Sequence, residues 1–232
     1  HTIFIKNADI KINRYWNLNY NNKLNCSTDE YIKNVEKKIN HSIDIHLNSD
    51  VPIASYVSGG IDSSIVSILA SNKNKLDKLF HGKFSEYPEC DESKYAELVS
   101  EKTKIPLICQ DITCNNFREN IHKIIYHMDY PTAGPGVFPQ FMMSKAVSKT
   151  NKVVLGGQGG DEIFGGYVRY IIPYFEKCID ESIDGNSTLL LNLLPSITVL
   201  KEYKPMLKRF LQEGTFDTLD KRYYQLCNRS TS

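Results

Sequence analysis

The sequence is short of most features that would place a protein quickly. None of its 232 residues belongs to a run approaching the ~18 apolar residues of a membrane-spanning helix, so no membrane partner is expected. Charge of one sign is not in excess. Lys and Arg total 28 against 27 for Asp and Glu, a formal net charge of +1. A dominant basic face for nucleic acid is therefore not expected. The six cysteines, Cys26, Cys90, Cys109, Cys114, Cys178 and Cys227, contain no Cys-x-x-Cys pair, and no histidine is spaced as a zinc partner to Cys109 and Cys114. Scattered reduced thiols are expected, because a chain of this length does not need disulfide staples. No basic, apolar, small-residue export leader is apparent, and the expected location is cytoplasmic.

What is present is an ordinary globular composition, 41% hydrophobic and 24% charged. Residues 1–28 read as an extended lead-in that alternates weakly and carries Arg14, Tyr15 and Trp16. From Asp29 to about Leu47, Tyr31, Ile32, Val35, Ile39, Ile43 and Leu47 recur at helical spacing, with Ser27 or Thr28 as the cap. An alternating pattern follows. Strands are predicted at Ile53–Val57, Leu79–Phe84, Pro106–Cys109 and Val153–Leu155. Helices are predicted from Asp62, over Ser93–Lys104, over Phe117–Met128 and, after the break at "GPGVFPQF", over Phe141–Ser148. Strands separated by helices predict an α/β fold: an open, mostly parallel sheet covered on both faces. Beyond about Tyr170 the strand signal ends. Short helices at Leu189–Leu194, Met206–Leu211 and Leu219–Leu226 predict a helical appendage over residues 171–232.

Two stretches carry chemistry. In "YVSGGIDSS" an apolar strand runs into Gly59 and Gly60, and a helix starts near Asp62. Converging amides at such a helix start attract an anion, and Ser58, Ser63 and Ser64 add hydroxyls. Asp62 would repel a phosphate unless a cation lay between them, a condition that a magnesium-bridged polyphosphate meets. Taken alone, the stretch also reads as a helix cap. It lacks the Gly-Lys-Ser/Thr ending of a P-loop, the GxGxxG of a dinucleotide site and the GxSxG of a nucleophile elbow. The second stretch, "VVLGGQGGDEIFGGYVRY", repeats the pattern with Gly156, Gly157, Gly159 and Gly160 before Asp161 and Glu162, then Gly165, Gly166 and Tyr167. Adjacent parallel strands would bring both stretches to one end of the sheet, and Asp161 could join Asp62 at one metal. A mobile glycine loop with solvated acids is the plainer reading of this second stretch by itself.

"SGGIDSS" resembles the pyrophosphate-binding motif of the N-type ATP pyrophosphatases. Together with "GGQGGDEIFGGYVRY", and with "DESKYAELVS", "MDYPTAGPGVFPQF" and "RYW", it resembles the synthetase domain of glutamine-dependent asparagine synthetases. The likeness covers most of residues 1–170. It implies an adenine nucleotide alpha hydrolase-like fold with ATP and magnesium (Mg2+) as cofactors. The implied reaction activates a carboxylate, that of aspartate, as an acyl-adenylate that ammonia then attacks. By resemblance, Ser58, Gly59, Gly60, Ser63 and Ser64 cradle pyrophosphate, and Asp62 and Asp161 are the magnesium acids. Gly157 lies near the activated intermediate, Tyr167 is the tyrosine of the Gly-Gly-Tyr, and backbone at Gly82, Lys83 and Phe84 reads adenine. His81 has two readings, proximity to the nucleotide or a local hydrogen bond.

The sequence departs from that family at three places. Gln158 stands where glutamate is common, and glutamine cannot act as a general base. Gln158 and the nearby Glu162 are therefore the candidates beside Asp62 and Asp161 for the catalytic positions. Tyr130 stands before Pro131 where an acid is common. The glutaminase domain and the later acceptor-binding segment are absent, so the expectation is a fragment of a longer protein, organised as a lead-in over 1–28, a synthetase domain over 29–170 and an extension over 171–232. A homodimer is among the expected assemblies. A specialised amidoligase for another small carboxylate, or a nucleotide-binding fragment without turnover, stays open.

Overall fold

The computed structural model describes residues 1–17, 19, 24–129, 134, 136–212 and 214–227. The chain divides into two compact units, His1–Ile45 and His46–Ser232.

The first unit opens with a hairpin of β1 (Thr2–Lys6) and β2 (Asp9–Asn13) in antiparallel register, Ile3 opposite Ile12 and Ile5 opposite Ile10. Asn7 and Ala8 form its loop, both with positive φ (48° and 68°), the twist that suits a two-residue hairpin connection. The first helix, α1 (Thr28–His46), is opened by a reciprocal cap. The Ser27 amide donates to Glu30 Oε2 at 2.9 Å, and the Glu30 amide donates to Ser27 Oγ at 3.3 Å.

The second unit is built on a four-stranded parallel sheet of β3 (Ile53–Tyr56), β4 (Leu76–Lys83), β5 (Leu107–Asp111) and β6 (Val153–Leu155), in the order β5-β4-β3-β6. Successive β4 residues face opposite ways. Phe80 joins Ala54, Ile112, Met142, Met143 and Val147 in one core. Leu79 joins Val57, Ala96 and Val99 in the other. The helices α2 (Ile61–Ser71) and α3 (Ser93–Thr103) thus cover one face, and α5 (Val137–Val147) covers the other. The helix α4 (Cys114–Met128) is joined to α5 by the edge-to-face rings of Phe117 and Phe138, 5.2 Å apart. The expected α/β class with a mostly parallel sheet is borne out.

Several elements differ from the sequence expectation. The second strand starts at Leu76, because the charges of Asp77 and Lys78 are accommodated where they pair with each other at 2.6 Å and Asp77 accepts from Asn151 at 3.2 Å. The α5 helix starts at Val137, with Pro139 in its first turn, where a missing N–H costs little. The helix α7 (Val168–Ile183), which follows the short α6 (Gly160–Phe164), has no counterpart in the sequence reading, and its interior Pro173 is the reason. It is held by tertiary packing: Ile172 is fully buried against Leu200 and Phe210. The remaining helices are α8 (Thr188–Leu193), α9 (Lys204–Gln212) and α10 (Leu219–Cys227), with a 3-10 turn over Leu194–Lys201. A buried ion pair ties them to α7. Arg222 Nη2 lies 2.7 Å from Glu176 Oε2 and 2.8 Å from the Phe210 carbonyl.

Candidate functional site

Strand order explains where the site forms. From β3 the chain moves to β4 and β5 on one side, whereas β6 pairs on the other. The crevice at the carboxyl ends of β3 and β6 is therefore the topological switch point of the sheet, the usual ligand position in such folds. Both glycine hinges leave from those strand ends.

In the first hinge Gly59 has φ +95°, and a Cβ there would stand 2.7 Å from Tyr95 Cβ, so this position admits glycine on two counts. The opening bond of α2 runs from the Ser64 amide to the Gly60 carbonyl at 3.1 Å. The amides of Ile61, Asp62 and Ser63 therefore have no partner within the helix, and Gly60 brings no side-chain cap. The serines are occupied in shaping the turn. Ser63 Oγ accepts from the Ser58 amide at 3.1 Å and lies 3.0 Å from Ser58 Oγ. The Ser64 hydroxyl donates to the Gly60 carbonyl at 2.7 Å. The open donors of this hinge are amides more than hydroxyls. Below it, Ser67 Oγ and Ser55 Oγ meet at 2.9 Å in full burial and bind α2 to β3.

The second hinge lies directly on the first. A Cβ on Gly157 would stand 2.6 Å from the Ser63 amide nitrogen, and one on Gly160 would stand 2.3 Å from the Asp62 carboxylate carbon. Only bare backbone fits at both positions, so the structure brings Gly157, Gly160, Asp62 and Ser63 together. Asp161 follows in α6, and its Oδ1 lies so close to Gly166 that a Cβ there would stand 2.0 Å from it. Gln158 is exposed in the turn before α6. Glu162 and Tyr167 form a separate pair. The Tyr167 hydroxyl donates to Glu162 Oε1 at 3.0 Å, a bond that raises the phenol above its ordinary value of 10.0, with burial adding to it. The Arg169 guanidinium stacks 3.9 Å from the Tyr167 ring centroid, and its Nε is buried without a hydrogen-bond partner. Beyond it a cavity of about 520 Å3 is lined by Gly165, Tyr170, Tyr174, Asp220 and Tyr223.

The third candidate segment ends β4. Gly82 packs tightly, since a Cβ there would stand 2.9 Å from Ile112 Cδ1. The Lys83 carbonyl accepts from Ile112 at 2.8 Å and the Phe84 carbonyl from Tyr87 at 3.0 Å. The loop is pinned by Asp111, which accepts from the Ser85 hydroxyl at 2.6 Å and amide at 3.1 Å. Those bonds, the hydroxyl first, hold its carboxyl below the usual value, and Lys83 adds to the effect. His81, behind this segment, makes a local bond to the Val57 carbonyl at 2.8 Å. Sequence spacing gave no sign of that contact, nor of Asp91 beside it. Tyr130 and Pro131 lie outside the described residues.

Among the described residues no three His, Cys, Asp or Glu side chains gather into a metal cluster. Asp62 and Asp161 supply hard carboxylate oxygens, a donor set that fits magnesium, which takes one or two carboxylates and completes its shell from phosphates and water. The uncapped amides of α2 fit a polyphosphate. Also among the described residues, no helix is long and apolar enough to cross a membrane, and all six cysteines are free thiols.

Residues 34–230 match the family model described as asparagine synthase. Asparagine synthetase [glutamine-hydrolyzing] 1 of Bacillus subtilis (strain 168) is 30% identical over 202 residues, covering 87% of this chain and 32% of that protein. A putative asparagine synthetase [glutamine-hydrolyzing] 2 of Methanocaldococcus jannaschii is 32% identical over 149 residues, covering 62% of this chain and 28% of the relative. The chain thus spans about a third or less of the curated relatives it matches. A solved structure of NMN synthetase from Francisella tularensis superposes with a TM-score of 0.41 at 16% identity, over 63% of this chain and 61% of that one. The resemblance drawn from the two glycine hinges holds: the chain belongs to the asparagine synthase family.

Proposed function

We propose that this chain carries the synthetase part of an ATP-dependent ligase that amidates aspartate to asparagine through a β-aspartyl-AMP intermediate, releasing AMP and pyrophosphate. Ammonia would be the attacking amine, supplied in the longer protein by a glutaminase domain. One observation carries the reading. Gly157 and Gly160 lie against Asp62 and Ser63, so the two hinges meet at the switch point of the sheet.

The residues have separate tasks. Amides of Ile61 and Asp62 bind the departing polyanion, where donors fixed before the reaction contribute most. Asp62 and Asp161 would hold magnesium, which when bound would neutralise charge accumulating on the leaving group. Gly157 lets backbone approach the activated carboxyl closely. Backbone at Gly82–Phe84 takes the adenine end. No protein nucleophile is required.

A second reading is favoured by Gln158. It is exposed in the turn before α6, and its amide cannot take a proton from an incoming ammonium. A specialised amidoligase acting on another small carboxylate, with proton removal by Glu162 or by the substrate, accommodates that residue.

The test is ATP–pyrophosphate exchange with magnesium, offering aspartate and a panel of other carboxylates, with Asp62→Ala as control. Aspartate-dependent exchange that the control loses by about 100-fold or more is the expected result. Exchange with another carboxylate alone moves the assignment to the specialised amidoligase. Absence of exchange despite ATP binding removes adenylation from this chain.

A further inference from the structure

The proposed reaction does not use His81, yet its surroundings are unusual. It is 3% exposed and lies on β4 immediately before Gly82. Val57, the last residue before the first hinge, is held by its two β4 neighbours. Its amide donates to the Phe80 carbonyl at 2.9 Å, and its carbonyl meets His81 Nδ1 at 2.8 Å. A carbonyl only accepts, so Nδ1 carries the proton. The other ring nitrogen, Nε2, is buried and lacks a hydrogen-bond partner. It faces Asp91, whose Oδ1 is 3.9 Å away, beyond a direct hydrogen bond and within ion-pair reach. Asp91 in turn lies two residues ahead of α3. Its Oδ1 accepts from the Ser93 amide at 3.1 Å and from the Ser93 hydroxyl. The first turn of α3 then closes on the hinge, since a Cβ on Gly59 would stand 3.2 Å from the Glu92 carbonyl oxygen and 2.7 Å from Tyr95 Cβ.

We propose that His81 and Asp91 are positioning residues for the first hinge. His81 fixes the carbonyl that precedes it, Asp91 sets the ring and the start of α3, and the hinge is clamped between them before any ligand arrives. Because His81 adjoins Gly82–Phe84, the same side chain ties the polyphosphate end of the site to its base end; this last clause rests on the nucleotide reading above. A packing role alone predicts that any side chain of similar size would serve. A positioning role predicts that the nitrogen at the Nδ1 place matters. Asparagine puts its amide nitrogen there, whereas glutamine reaches instead toward the place of Nε2.

The decisive measurement is amide hydrogen exchange at Ser58, Gly60 and Ser64, the hydrogen-bonded amides of the hinge, in the whole chain without nucleotide. His81→Gln is expected to speed exchange there about fivefold, the size of one lost hydrogen bond, with His81→Asn within about twofold of native. Asp91→Asn, which keeps an acceptor for Ser93 and removes the charge facing Nε2, is expected to speed the same amides. Equal exchange in His81→Asn and His81→Gln overturns the proposal, as does native-like exchange in Asp91→Asn. A long-range 1H–15N spectrum supplies a second readout. It must show the His81 proton on Nδ1, and a tautomer protonated at Nε2 alone overturns the assignment. ATP titration with magnesium tests the clause on the two ends. His81→Gln is expected to weaken binding about fivefold, and unchanged affinity removes that clause. Should the native chain bind no ATP, the nucleotide reading falls, while the exchange results still decide the positioning role.

Discussion

At the residue scale, neighbouring glycines of the second hinge separate backbone freedom from close approach. Gly159 has φ +96°, and a Cβ there would meet nothing within 4 Å, whereas Gly160 has room in its torsions and none in space. Gly159→Ala is therefore expected to cost about 1–2 kcal/mol of backbone strain and to leave Asp62 where it is. Gly160→Ala drives a methyl into the Asp62 carboxylate. The expected outcome is a fall in ATP–pyrophosphate exchange of about tenfold or more, since misplacing a catalytic group by an ångström costs that much. Urea unfolding of both variants checks the stability half, and the exchange assay checks the other. Glycines and acids in this pattern were legible because they directly follow apolar strands. The His81–Asp91 contact was not, since it joins residues on separate elements with no periodic relation between them.

At the scale of elements, the α7 helix is the instructive one. Pro173 withholds an N–H from the helix interior and breaks the local signal, and three aromatic residues nearby do not favour helix strongly. Packing decides the conformation instead: the Glu176–Arg222 pair, with side chains 8% and 2% exposed, links α7 to α10, and the guanidinium also lies 3.6 Å from the Phe210 ring centroid. Glu176 Oε1 accepts the Phe216 amide as well, at 2.6 Å. Removing one partner strands a buried charge. Glu176→Leu or Arg222→Met alone is expected to destabilise this helical region by about 3–5 kcal/mol, and the double replacement by much less than the sum. Urea titration followed by circular dichroism, arranged as a double-mutant cycle, measures the difference. The hairpin was missed for a simpler reason: its loop residues Asn7 and Ala8 carry no glycine, although both take positive φ.

At the scale of the whole molecule, several carboxylates are stabilised by bonds that the unfolded chain lacks. Hydrogen bonds from Ser85 to Asp111, from Lys78 to Asp77 and from Ser93 to Asp91 lead in holding those groups below the ordinary 3.8. A carboxylate with a lowered folded pKa contributes stability that is complete above its unfolded value and is lost as pH falls through the folded value. The urea midpoint is expected to stay flat from neutrality to about pH 5 and to drop below about pH 4, with a smaller drop in Asp111→Asn. These acids are exposed enough that water screens each contribution. The sheet class was legible from alternating strands and helices. The strand order was not, because no local pattern says on which side of β3 the last strand will pair.

That order has a consequence in time. The site exists only where β6 lies beside β3, and the seam between them joins distant parts of the chain. Asn151 Nδ2 reaches the Pro52 carbonyl at 3.4 Å across 99 positions of sequence. Contacts of such long range form slowly, after nearer ones have already been made. The hinge after β3 can be translated, and even turn into its helix, well before the second hinge arrives to close over Asp62. Ligand affinity would then appear abruptly with the docking of one three-residue strand, and a nucleotide that bridged the two hinges would hold shut the last seam of the sheet to form.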